Sequence, residues 1–139
     1  MSVRNTITLA LALLLSFSIL AGVAEAGKGG RHSSPTGSGT LTLVLLNSTD
    51  GLPHFGQVVT FNVATSAAYP YVTLNCYKDG AWVYTLTAGF YAAYPFTRYY
   101  SLGSSSWTSG AADCTADLHY STSNGSKVTL ATLNMHVEP

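Results

Sequence analysis

The sequence predicts an all-β domain of about seven antiparallel strands packed as a two-sheet sandwich, and three observations carry that prediction. Beyond residue 39 the chain is rich in Val, Thr, Tyr and Leu and is cut at short intervals by Gly, Pro, Asn and Asp, the punctuation of an antiparallel sandwich. No long stretch carries a 3.6-residue hydrophobic period. Two dipeptides, Asp79-Gly80 and Asn124-Gly125, separate alternating apolar runs, as the positive φ angles of a hairpin turn require.

The elements follow in chain order. Residues 1–26 read as a secretory signal: Arg4 is the sole charge before an uncharged run from Ile7 to Val23, and Ala24-Glu25-Ala26 offers the small-x-small site of a signal peptidase. The alternative, a membrane anchor, needs about 20 apolar residues, and Ser16 and Ser18 interrupt the run. The expectation is a secreted, extracellular chain starting at Gly27, without stable membrane insertion. Residues 27–39, GKGGRHSSPTGSG, have the composition of a flexible linker. The domain, 40–139, divides into strands near 40–46, 57–65, 71–78, 81–87, 96–102, 111–120 and 127–137.

Charge narrows the field. Six Lys and Arg balance six Asp and Glu, and charged residues make up 9% of the chain against 47% hydrophobic. A nucleic-acid partner would need a basic stripe to displace counterions, so none is expected. Outside the cytosol the two cysteines, Cys76 and Cys114, read as a disulfide.

The turns fix two registers. A two-residue turn at Asn124-Gly125 sets Cys114 opposite Met135, Ala116 opposite Leu133, Leu118 opposite Ala131 and Ala112 opposite Val137, an apolar face. The alternate positions, Asp113, Thr115, Asp117 and His119 against His136, Asn134, Thr132 and Leu130, should then meet solvent. A two-residue turn at Asp79-Gly80 puts Val72, Leu74, Cys76 and Val83 on one face. Tyr71, Thr73, Asn75, Tyr77, Trp82, Tyr84 and Leu86 then point outward. A three-residue loop with a bulge at Gly80 would instead turn Trp82 inward. A bridge between Cys76 and Cys114 makes the two hairpins neighbours in one four-stranded sheet.

Cys76-Tyr77-Lys78-Asp79-Gly80 resembles the W-Y-K-D-G third strand of immunoglobulin-like domains, with Cys76 at the tryptophan's place. Ala112-Asp113-Cys114 resembles their aromatic-x-Cys sixth strand. The resemblance spans about residues 40–137 and implies the immunoglobulin-like sandwich. It departs from that pattern in three ways: Val58–Val63 carries no Cys, the bridge has moved to the third strand, and Ala112 stands where the tyrosine corner has Tyr. The runs GQVVTFNV, LNCYKDGAWVY and WTSGAADCTA are also similar to small secreted proteins of Gram-positive bacteria with no assigned activity, so no functional residue is carried over.

Catalysis is not favoured by the residue pattern. Asp113 and Asp117 lie four residues apart on one strand face, roughly 13 Å, too far for a glycosidase pair. Asp117 with His119, or Asp113 with His136, reads as a surface pair. No serine sits in a nucleophile elbow, and neither metal-ligand spacing nor a cofactor motif is present. The sharper signal is aromatic: Tyr71, Tyr77, Trp82 and Tyr84 on the outward sheet face, with Tyr91 and Tyr94 from the segment GFYAAYPFTRYY. Such rings give large contact area at low entropic cost. The competing assignment puts Phe90, Phe96 and some of these tyrosines in the core. The expected function is a non-catalytic binding module for an extracellular glycan or protein. The alternatives are a self-associating envelope or adhesion component and, third, a small hydrolase.

Overall fold

The computed structural model describes residues 37–139, so the signal and most of the linker lie outside the described residues. Its seven strands are β1 (Gly39–Leu45), β2 (Val58–Thr65), β3 (Tyr71–Lys78), β4 (Ala81–Gly89), β5 (Tyr100–Ser101), β6 (Ala112–Ser121) and β7 (Lys127–Val137). They form two antiparallel sheets, one ordered β1-β2-β5 and the other β4-β3-β6-β7. Among the described residues there is no helix.

The period-2 pattern decides what is inside. Val72, Leu74 and Cys76 of β3 and Ala112, Cys114, Ala116 and Leu118 of β6 are buried, and they face Leu41, Val59 and Phe61 of the opposite sheet. Cys76 and Cys114 sit directly opposite each other in the β3–β6 ladder and are bonded, so the bridge ties two neighbouring strands of one sheet. Closing a loop of 38 residues stabilises the fold by roughly 4 kcal/mol on the chain-entropy model.

Both predicted hairpins form, and each departs from the ideal register by one residue. At the first, Asp79 (φ 52°) and Gly80 (φ 78°) make the two-residue turn, and Tyr77 pairs with Trp82. A bulge then shifts the ladder, so that Cys76 faces Tyr84 and Leu74 faces Leu86. The carbonyl of Val83, the extra residue, accepts a hydrogen bond from Ser104 Oγ at 2.7 Å. The expectation that Tyr84 and Leu86 point outward is therefore corrected: both lie on the side of β4 that faces the other sheet.

The second turn holds three residues rather than two. Thr122 N donates to Ser126 O and Gly125 N to Thr122 O; Gly125 alone has positive φ there. The longer loop is absorbed by a bulge at Leu130 of β7, so that His119 pairs with Thr129 instead of Leu130. Residues 112–118 keep the predicted partners.

The fifth strand is the largest departure, two residues in place of a predicted seven. Thr60 Oγ1 donates to Arg98 O at 2.9 Å, so a side chain takes the carbonyl that a ladder would have used, and regular pairing starts only at Tyr100. From there the chain fills the core with single anchored side chains. The Tyr100 hydroxyl donates to Val72 O at 2.9 Å, Leu102 is fully buried, and Trp107 is 1% exposed, its Nε1 donating to Gly110 O at 2.9 Å. Trp107 packs against Phe55, ring centroids 5.5 Å apart. The β1–β2 loop that carries Phe55 is itself held to the C-terminal end, Phe55 N to Glu138 O and Glu138 N to Pro53 O.

Candidate functional site

The ladder register arranges the outer face of the four-stranded sheet in rows running across the strands. One end row is Gly89, Tyr71, His119 and Thr129; the next is Thr87, Thr73, Asp117 and Thr132; then Thr85, Asn75, Thr115 and Asn134; the last is Trp82, Tyr77, Asp113 and His136. Two rows of hydroxyl, amide and carboxylate groups thus separate two aromatic ends, with Tyr71 and Tyr77 six residues, about 20 Å, apart. The aromatic positions expected to cluster on this face do not form one stripe. Tyr71 stands at one end, Tyr77 and Trp82 (44% and 59% exposed) at the other, and Tyr84 lies half-buried against the core, where burial pushes its hydroxyl up to about 12.

The middle rows are internally bonded. Thr73 and Thr87 hydroxyls are 2.7 Å apart, Thr85 donates to Asn75 at 2.8 Å, Thr115 to Asn134 at 3.0 Å and Thr132 to Asp117 at 2.8 Å. Each hydroxyl and amide keeps further hydrogen-bonding capacity toward solvent.

The Tyr71 end is the more elaborate. The Tyr71 and Tyr91 hydroxyls are 3.0 Å apart, and Tyr91 packs edge-on against Tyr94 at 5.5 Å and Tyr69 at 5.2 Å. Phe96, 70% exposed, lies 5.4 Å from Tyr94. The hydrogen bond to Tyr71 holds the Tyr91 hydroxyl above its ordinary pKa, so it stays a neutral donor and acceptor. The seat for these rings is Gly89: a Cβ there would overlap Tyr94 and lie 2.7 Å from Tyr91 Cε1. Arg98, the one charge of the segment, holds it in place, donating to Tyr91 O at 2.6 Å with its guanidinium 5.5 Å from the Phe90 ring centre.

Beneath Tyr71 lies His119, expected at the surface and found covered. The Tyr71 ring stacks on it at 6.0 Å, Nε2 is 2.9 Å from Thr73 Oγ1, and Nδ1 is buried without a partner. Burial, chiefly, lowers its pKa, so the imidazole is neutral at pH 7. Asp117 does not bond to His119; it takes Lys127 at 3.3 Å and Thr132 instead. The other candidate pair does form, His136 Nδ1 to Asp113 Oδ1 at 2.7 Å, but with its side chains 54% and 84% exposed. Among the described residues no group of three or more His, Cys, Asp or Glu is placed to hold a metal ion.

Beyond Tyr69 the end of the sheet opens into a cleft of about 370 Å³, its walls including Ala67, Tyr69, Tyr120, Ser121, Thr122 and Ser123. Among the described residues no charged side chain lines it. Tyr69, 64% exposed, joins this cleft to the aromatic cluster. Sequence reasoning passed over Tyr69, although Tyr69-Pro70-Tyr71 puts it in phase with Tyr71, two residues away. No protein-family model, no curated protein and no solved structure matches the chain.

Proposed function

We propose that the chain is an exported, non-catalytic binding module of immunoglobulin-like topology, which holds a neutral extracellular glycan at the tyrosine-lined end of its four-stranded sheet. The order β1-β2-β5 facing β4-β3-β6-β7 supports the topology, because it corresponds to strands A-B-E facing C′-C-F-G in such domains. The disulfide supports an oxidising compartment.

The observation that carries the ligand class is the joined cluster and cleft. Tyr69, Tyr71, Tyr91 and Tyr94 offer ring faces and edges, Ser121, Thr122 and Ser123 offer hydroxyls, and among the described residues no charged side chain lines the cleft. Apolar rings with a few convergent polar groups are the chemistry of a small-molecule site, and an uncharged polyhydroxyl chain matches both. The non-catalytic reading rests on the two Asp–His candidates: one is spread over exposed surface, and in the other both partners are engaged elsewhere.

The test is retention of the purified protein on insoluble extracellular polysaccharides. Tyr91→Ala/Tyr94→Ala should abolish retention, Tyr77→Ala/Trp82→Ala should leave it intact, and retention should persist in high salt because no charge pair is used. Loss only in the second variant would move the site to the other end row. No retention on any polysaccharide would overturn the glycan reading in favour of a protein ligand.

A further inference from the structure

We propose that the free edge of β4 pairs with β4 of a second copy of the chain, antiparallel and about a two-fold axis, making one eight-stranded sheet. This is independent of what the tyrosine end binds. Among the described residues β3 is the only strand that pairs with β4. The other edge of that sheet, β7, is packed beside β1 of the facing sheet. An unpaired strand edge is a template for a further strand, and proteins guard it with charge, proline, brevity, a bulge or a covering loop. Ala81–Gly89 reads AWVYTLTAG, nine residues without a charge or a proline. The bulge at Val83, with Ser104 on its carbonyl, guards only the N-terminal part of the edge. Beyond the bulge, residues 84–88 run regularly along β3.

The exposed part of this edge is built to meet itself. Leu86 faces the other sheet, opposite the fully buried Leu74, yet is 39% exposed, because the facing sheet ends in the two-residue β5 and leaves it uncovered. Thr85, Leu86 and Thr87 read the same in both directions. A two-fold axis at Leu86 therefore sets Leu86 against Leu86 and Thr85 against Thr87 of the other copy. Directly opposed threonines are favourable cross-strand pairs, and one already exists within the chain, between Thr73 and Thr87. An uncharged edge meets an identical edge without repulsion, which a partner chosen for its charge could not exploit. The area joined by one strand pair falls below the ~1,200 Å² of stable interfaces, so the dimer should be reversible and concentration-dependent. Pairing would also make the Thr and Asn rows of the two outer faces continuous.

Sedimentation equilibrium of the purified chain over a wide concentration range, with hydrogen exchange of the β4 amides, tests this. The mass should climb from one chain toward two while the amides of Thr85 and Thr87, which point away from β3, gain protection in step. Leu86→Lys, which sets two ammonium groups on the axis, should remain at one chain with its melting temperature close to that of the parent. Should Leu86→Lys fold poorly, Thr87→Lys on the exposed outer side gives the same readout. A one-chain mass at all concentrations overturns the proposal, whether the β4 amides exchange freely or are covered by another segment. So does a dimer that both lysine variants leave intact.

Discussion

The four-stranded sheet and the segment from Phe90 to Gly110 bury aromatic and aliphatic side chains equally well but by different means. In the sheet, alternation along each strand decides burial, so Val72, Leu74 and Cys76 go inward together and Thr73, Asn75 and Tyr77 go outward together. In the segment only two residues are strand, and Tyr100, Leu102 and Trp107 reach the core one at a time, the two aromatics fixed by hydrogen bonds to Val72 and Gly110 carbonyls. The first mode is cooperative and redundant. The second concentrates stability in a few side chains, and it leaves Tyr91, Tyr94 and Phe96 free to form a surface.

The sharpest way to break the contrast is to compare the two tryptophans. Trp107→Ala empties a fully enclosed site and should cost about 3–5 kcal/mol, read as a fall in the urea midpoint at unchanged slope. Trp82→Ala, on the exposed outer row, should change stability by no more than about 0.5 kcal/mol. Equal effects would mean that the segment is not where the core is anchored. Replacing both cysteines by alanine tests the sheet half. The loss should be roughly 2–4 kcal/mol, and the remaining sheet should still unfold in one transition, since the ladder on either side of the bridge is continuous. A smaller step is Tyr100→Phe, which keeps the ring against Phe61 and removes only the bond to Val72 O, for about 1 kcal/mol.

The same contrast explains what could be read in advance. The adjacency of the two hairpins follows from the Cys76–Cys114 bridge and stands in the structure as read. So do the partners of residues 112–118, which fit period-2 alternation, because a bulge offsets a turn one residue longer than the two expected. Both bulges escaped, because inserting one residue costs little locally and leaves no compositional mark. Their consequences are large: Tyr84 turns inward, and His119 changes partner. β5 was over-extended because Phe96–Leu102 is rich enough in β-formers to pass for a strand, while the hydrogen bond from Thr60 that displaces it depends on a side chain far away in sequence. For the candidate site, Tyr71 was legible as an outward sheet residue. The seating of Tyr91 and Tyr94 over Gly89 was not, since it depends on where a non-repetitive segment folds back.

The smallest effect tests where that segment meets the sheet, through the histidines. His119 is covered by Tyr71, itself packed against Tyr91 and Tyr94, and its pKa is lowered from the ordinary 6.5, chiefly by burial. A base with a lowered folded pKa binds fewer protons folded than unfolded, so its contribution to stability is intact above 6.5 and is lost as pH falls below it. His136 and His54 behave oppositely. Donation of an imidazole N–H to the Asp113 and Asp50 carboxylates raises their pKa above 6.5, so their contribution is present below 6.5 and disappears as pH rises through the raised values. In a proton NMR titration, of the three histidines among the described residues His119 should therefore titrate below 6.5 and His54 and His136 above it. Arg98→Ala frees the Tyr91 carbonyl and the Phe90 face, and should let the tyrosines lift away. His119 should then move up toward 6.5 while His136, at the opposite end row, stays where it was. If all three shift together, the segment supports the whole sheet rather than its tyrosine end. If none moves, the cover over His119 is made by the sheet itself.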